Sequence, residues 1–348
     1  MLIARAPVRI SLAGGGTDLS AYYEKFGGCV ISASIDKYFY VILQPSPDPT
    51  LQITSSDYQT FYRQKTASDR TFFGEGDLSL PRAILHHFGV TRGVSMFLAS
   101  EIPPGTGLGS SSTVTVAIIK ALTTAQGLRS TPYEIAELAS FIEIEKLGEP
   151  IGKQDQYAAA FGGLNRIDFD AARTTVTPLA LAPQTRAQLE QRLMLFYTGR
   201  TRAAAHILSQ QKAASEKQDP QVLDALHAVK EMAYATHNAL ERGQVDVVGE
   251  ILHESWIRKK RFAANVSNAR IDALYELARA NGARGGKIAG AGGGGFLMLF
   301  CAPEAQEGVT RVLEAEGLKR MVFHFEQSGA RVLFNAGLRL HSGVVQAS

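Results

Sequence analysis

The sequence predicts an α+β protein built as two domains. Three observations carry this. In the middle of the chain a strand-like run, Gly93 to Ala99, passes through a glycine- and serine-rich loop straight into an amphipathic helix. Two further glycine loops stand near the ends, around Gly14 to Gly16 and within Gly282 to Cys301, each against a strand-like run. The 348 residues, 45% hydrophobic and 20% charged, suit one large or two medium domains with ample core. A break near Pro183 separates residues 1–183 from a more helical second half, 184–348.

Taken in order, Leu2 to Leu12 reads as a strand interrupted by Arg5, Pro7 and Arg9. The loop that follows carries Gly15, Gly16, Thr17 and Asp18. Asp18 can accept two hydroxyls of a small polar ligand while the glycines keep the wall thin; the plainer alternative is a β-turn capped by Asp18. Val30 to Gln44 has strand composition, Pro45 to Pro49 is a turn cluster, and Leu51 to Arg63 alternates again. Thr66 to Asp77 is a polar loop placed to cover a site, and Leu78 to Phe88 reads as a helix.

After Gly93–Ala99 comes E-I-P-P-G-T-G-L-G-S-S-S-T. Val114, Ala117, Ile118, Ala121, Leu122 and Ala125 then make one apolar helical face. A helix N-terminus leaves backbone N–H groups unpaired and carries partial positive charge, so this junction favours anions. Gly105, Gly107 and Gly109 let a polyanion approach the backbone. Ser110, Ser111 and Ser112 offer hydroxyls for a cap, a phosphate or a magnesium ion. No Lys follows the glycines as a Walker A loop requires, and the dinucleotide G-x-G-x-x-G pattern fails at Ser110.

Thr131-Pro132-Tyr133-Glu134 opens another helix with a capping box; Ile135, Leu138, Ala139 and Ile142 face the core, and Gly148 and Pro150 end it beyond Glu143 and Glu145. Asp155 follows a turn at the start of a further helix. Leu164 to Leu181 holds two short strands, and Leu193 to Thr198 another. Helices are expected from Pro220 to before Gly243, over Val245 to Arg261, and over Ile271 to Ala280. The run Arg258, Lys259, Lys260, Arg261 reads as a solvated face, with a substrate-phosphate contact as the alternative. Four consecutive glycines before the strand ending at Cys301 imply close backbone approach. Pro303 to Leu318, Met321 to Glu326 and Arg331 to Phe334 read as a helix and two strands.

A net charge of +3 does not suggest nucleic acid, and no basic run interleaved with aromatics does so either. No stretch of about 18 apolar residues predicts a membrane span, and the N-terminal segment does not read as a signal peptide. Cys29 and Cys301, without metal spacing, are expected to be reduced thiols in a cytoplasmic protein.

Pro103 to Ser112 matches P-x-x-x-G-L-G-S-S-[AS], the nucleotide-binding motif of the GHMP kinases, and the chain resembles that family. V-R-I-S-L-A-G-G-G-T-D resembles the family's first motif, in which Arg9, Thr17 and Asp18 match galactokinase. Gly15 and Gly16 stand where galactokinase carries Glu and His, which argues against galactose. The same stretch is similar to bacterial D-glycero-D-manno-heptose 7-phosphate kinases and to the kinase part of fucokinase. G-K-Q-D-Q resembles the segment whose Asp is the catalytic carboxylate, and G-G-K-I-A-G-A-G-G-G-G resembles the third motif.

The resemblance implies a ribosomal-protein-like N-terminal domain with a left-handed βαβ crossover and a ferredoxin-like C-terminal domain. It implies ATP and Mg2+ at Pro104, Gly105, Gly107, Leu108, Gly109, Ser110, Ser111 and Ser112. Ser111 and Glu145 are the implied metal ligands, with Glu143 as the alternative to Glu145. It makes Asp155 the base and Arg9 a stabiliser of the transferring phosphoryl or an orienter of Asp155. Substrate contacts fall on Gly15, Gly16, Thr17, Asp18, Lys153, Lys287, Gly292 and Gly293, with Lys287 on a phosphate of either ATP or the sugar. The expected reaction is phosphorylation of C1 of D-glycero-D-manno-heptose 7-phosphate, a small-molecule sugar phosphate, for nucleotide-activated heptose. A kinase of fucose or another hexose and a non-catalytic sugar-binding regulator are the alternatives. A homodimer is compatible with the sequence, which does not fix oligomeric state.

Overall fold

The structure, a computed structural model, describes residues 1–46, 50–56, 59–63, 78–199 and 204–340. The loop expected over Thr66 to Asp77 lies outside them, as does most of the Pro45 to Pro49 turn.

Among the described residues the first half builds seven strands: β1 (Leu2–Ala13), β2 (Gly28–Pro45), β3 (Leu51–Ser55), β4 (Thr60–Arg63), β5 (Val94–Ser100), β6 (Leu164–Phe169) and β7 (Thr174–Pro178). Its helices are α1 (Ser20–Phe26), α2 (Ser79–His87), α3 (Ser110–Ala125), α4 (Pro132–Ser140) and α5 (Gln154–Phe161). The second half adds α6 (Pro183–Arg192), β8 (Leu193–Tyr197), α7 (Ala204–Glu216), α8 (Pro220–Glu241), α9 (Val245–Lys259), α10 (Ala269–Ala280), β9 (Ala283–Ile288), β10 (Phe296–Cys301), α11 (Gln306–Ala315) and β11 (Lys319–Met321). β12 (Arg331–Asn335) closes the chain.

Strands of the first sheet run in the order β12-β1-β2-β5-β3-β4, and β6, carrying β7, pairs with β2 alongside. The second sheet has the order β11-β8-β10-β9, all antiparallel. Strand, helices, two strands, helix, strand in that spatial order is the ferredoxin-like arrangement, as expected for this half. The passage from first sheet to second falls at α6, beside Pro183. The expectation that 184–348 stands as one domain is corrected by β12, which returns to pair with β1. Phe325 likewise bridges to Ile35, so the strand expected over Met321 to Glu326 shrinks to β11 and one bridge.

Apolar residues explain the layering. β1 is buried almost throughout because helices and the second half cover both sheet faces. Leu2, Ala4 and Ala6 join the core beneath α2 to α5, including Ile118, Leu122 and Ile135. Val8, Ile10 and Leu12 join a second core with Leu195, Phe296 and Leu252, which fuses the halves. A third core around Trp256, Phe196 and Tyr275 lies mostly in the second half and takes in Tyr22 from α1. The switch within β1 coincides with a slip in its register against β2 between Pro7 and Arg9. Such irregularities re-aim side chains, and here Arg9 turns into the cleft.

Thr131 caps α4 as the sequence indicated: Thr131 Oγ1 accepts from Glu134 N, and Glu134 returns to Thr131 N at 2.8 Å. Such a cap contributes about 1 kcal/mol. Beyond Ser140 the helix widens into a π-turn, Phe141–Lys146, a form frequent at functional sites. α1, α6, α7 and β9 were not expected. β9 escaped because Gly285 and Gly286 read as loop. A Cβ on Gly285 would lie 1.9 Å from Gly249 O, so the strand packs on α9 only as glycine.

Candidate active site

The three glycine loops meet in one cleft between the halves, a cavity of about 320 Å³. Its centre is Arg9, almost fully buried on β1. Arg9 Nε donates to Asp155 Oδ1 at 2.7 Å, Nη2 lies 2.6 Å from the same oxygen, and Nη1 donates to Gly107 O at 2.7 Å. One guanidinium thus fixes both the carboxylate and the nucleotide-type loop, and charge-assisted bonds of this kind are the strong ones. Asp155 sits in the first turn of α5.

The loop before α3 is closely packed. A Cβ on Gly107 would fall 2.4 Å from Ala289 O, and one on Gly290 2.6 Å from Gly107 Cα, so the second and third motifs touch backbone to backbone. No side chain caps α3. The buried hydroxyls of Ser110 and Ser11 and the amide oxygen of Gln154 have no hydrogen-bond partner among the described residues. Uncapped amides beside orphaned polar atoms fit a phosphate chain.

Glu143, fully buried, accepts from Ser111 Oγ at 3.1 Å, Ser112 Oγ at 3.3 Å and Gln156 Nε2 at 2.8 Å. Burial pushes its carboxyl up to about 7, against the lowering effect of those three bonds. Of the two glutamates, Glu143 is the one beside Ser111. Glu145 is exposed and lines a separate cavity of about 460 Å³ with Glu137 and Lys153. The π-turn sets which glutamate faces Ser111, and residue spacing alone does not reveal it. Among the described residues no cluster of three or more His, Cys, Asp or Glu could hold a metal. One carboxylate and one hydroxyl fit an ion such as Mg2+ that takes its other ligands from phosphates and water.

On the opposite side Gly15, Gly16 and Asp18 line the cleft. Asp18 accepts from Gly16 N at 2.9 Å and Gln154 N at 3.3 Å. Burial, with the charge of Asp155 adding to it, raises its carboxyl above the usual range. Gly152 admits it: a Cβ there would lie 2.0 Å from Asp18 Oδ2.

Gly105, Gly107, Gly109, Ser110, Ser111, Ser112 and Lys287 also line the cleft. Six expected contacts do not. Thr17 is fully buried, its Oγ1 2.8 Å from Gly14 O and accepting from Cys29 N at 3.1 Å, so it pins the loop to β2. Leu108 is core, its carbonyl accepting from Arg9 N, and Pro104 stands outside the lining. Gly293 N donates to Val266 O at 2.8 Å, and Gly292 packs on the same residue; Gly290 and Ala291 take their place at the cleft. Lys153 turns away to Glu137, 3.5 Å distant. Residues not singled out beforehand are Ser11, Gln154 and Gln211. Ser11 is two residues from Arg9 on β1, a period-2 signal in an apolar strand. Gln211, from α7, donates to Gly16 O at 3.2 Å, a contact across 195 residues that no local pattern marks.

Among the described residues no helix is long and apolar enough to cross a membrane. Cys29 and Cys301 are both buried and free.

Residues 79–163 match the family model "GHMP kinases N terminal domain" and residues 236–317 match "GHMP kinases C terminal". The chain is 35% identical over 334 residues to a D-glycero-alpha-D-manno-heptose 7-phosphate kinase of Campylobacter jejuni, covering 94% of this chain and 97% of that one. Its structure is similar to that of a D-glycero-D-manno-heptose 1-phosphate kinase from Bacteroides thetaiotaomicron, with TM-score 0.79 and 29% identity over 96% of this chain and 99% of the other. A Lactococcus lactis galactokinase in complex with galactose shares the fold, with TM-score 0.73 and 19% identity over 95% of this chain and 94% of the other. With both halves matched and Arg9 clamping Asp155 to the nucleotide-type loop, the chain belongs to the GHMP kinase family.

Proposed function

We propose that the protein is an ATP-dependent sugar kinase that phosphorylates C1 of D-glycero-D-manno-heptose 7-phosphate. The single observation that carries the reading is the Arg9–Asp155–Gly107 contact, which places a carboxylate beside the loop suited to a nucleotide's phosphates. The substrate follows from similarity at 35% identity over nearly the whole chain to a heptose 7-phosphate kinase. C1 is favoured because an anomeric hydroxyl is more acidic than an ordinary alcohol, which suits a carboxylate base.

Asp155 accepts the proton of the attacking hydroxyl. Arg9 orients Asp155 through two contacts to Oδ1. Asp18 accepts hydroxyls of the sugar, its carboxylate steadied by Gly16 N and Gln154 N. The first-turn amides of α3 and Ser110 hold the phosphate chain, and Ser111 with Glu143 holds Mg2+. When bound, the ion supplies neutralisation of charge between the phosphates, in a reaction that is mostly positioning and electrostatics.

ATP consumption across free sugars and sugar 7-phosphates, with wild type beside Asp155→Asn, tests this. Turnover confined to the heptose 7-phosphate and lost in the variant is expected. Turnover on a free hexose instead sinks the heptose assignment and leaves the kinase.

A further inference from the structure

We propose that Lys259 and Lys287 together form a binding site for a phosphate group, on the wall of the cleft that α9 and β9 build. Both line the cavity that holds Asp155 and the glycine loops, and both are more than nine-tenths buried. Their partners are carbonyl oxygens rather than carboxylates. Lys259 Nζ donates to Gly290 O, and Lys287 Nζ donates to Leu12 O at a long 3.4 Å. Gly290 is the residue packed on Gly107, so Lys259 is tied to the backbone of the nucleotide-type loop. Lys153, by contrast, is partly exposed and already faces a glutamate.

Two buried ammonium groups without an anion are costly. Burial first, then Arg9, lowers Lys259 to about 8, with Asp18 pulling the other way. Burial, then Lys259 and Arg9, hold Lys287 well below its ordinary value. The charged groups facing the pair are Arg9 from β1, Asp18 from the loop after β1, Asp155 from α5 and Glu149 at the rim. Arg9 is spent on Asp155, and Asp18 on two backbone amides. A phosphate group supplies the charge and acceptor oxygens this wall lacks, and lysine binds phosphate as a point charge. The phosphate belongs either to the sugar, which rests on the function proposed above, or to the end of the nucleotide.

Calorimetric titration of wild type, Lys259→Met and Lys287→Met separates the sources, using the heptose 7-phosphate, the Mg2+ complex of a non-hydrolysable ATP analogue, and inorganic phosphate. Weakening of about tenfold or more for the heptose 7-phosphate alone assigns the site to the sugar's phosphate; the same loss for the ATP analogue alone assigns it to the nucleotide. Wild type should also take up protons on binding at pH 8, seen as dependence on buffer ionisation enthalpy, and Lys287→Met should take up fewer. A merely structural lysine would leave that signal unmoved. Lys259→Gln, which keeps a donor for Gly290 O, serves if the Met variant does not fold. Folded variants that bind all three ligands within about twofold of wild type overturn the proposal. Failure of wild type to turn over any sugar phosphate would sink the heptose reading, while the nucleotide and inorganic phosphate titrations still judge the site.

Discussion

The two walls of the cleft handle charge in opposite ways. On the wall from the first half, Arg9 and Asp155 neutralise each other, and Asp18 and Glu143 are satisfied by amides and hydroxyls. On the wall from the second half, Lys259 and Lys287 donate to carbonyls alone among the described residues. The charged groups of the first wall are paired without ligand and are therefore pre-organised, as a site for proton transfer and positioning must be. The second is complete only with an anion, so it trades stability for binding.

The largest expected effect breaks the first wall. Asp155→Asn keeps the shape but cannot take the proton, and kcat should fall roughly 10²- to 10⁴-fold with little change in KM, measured by steady-state ATP turnover. Next, Glu143→Gln should raise the Mg2+ concentration for half-maximal rate by on the order of 10- to 100-fold, whereas Glu145→Gln should leave it unchanged. The reverse outcome would restore Glu145 as the metal ligand.

The second wall is sharpened by stability against pH. Lys259 is depressed from 10.5 to about 8 in the folded protein. Between those values the unfolded chain holds a proton that the native one lacks, so stability rises with pH there. Below pH 8 the cost is present in full, of roughly 3 kcal/mol. Without ligand, Lys259→Met should be relatively more stable than wild type at pH 7, with the gap closing toward pH 10.5. Chemical denaturation at several pH values checks this, and a variant less stable at every pH would refute the strained-lysine picture. A smaller effect is expected where the walls touch. Gly107→Ala forces a Cβ against Ala289 O and should cost about 1–3 kcal/mol in the same assay.

The sequence made the chemistry of the loops legible, because it is local. Gly105 to Ser112 announces an anion-binding helix start, the Thr131 capping box needs only four residues, and the carboxylates Asp18 and Asp155 stand beside glycines. What it obscured was whatever depends on packing. Which glutamate faces Ser111, Glu143 or Glu145, is set by the π-turn after Ser140, since one altered hydrogen bond along a helix rotates every later side chain. β9 was hidden by Gly285 and Gly286, which weaken a strand in isolation and are required only once α9 lies against it.

The amino-acid order by itself determined the α+β class, the three glycine loops and the residues able to do the chemistry. Only the tertiary structure decided that β12 closes the first sheet, that Lys153 leaves the cleft for Glu137, and that Lys259 enters it. A lysine's role depends on which carbonyl or carboxylate lies within a few ångströms, and contacts across 31 or 195 residues, as at Gly290 and Gln211, are set by packing rather than by local pattern.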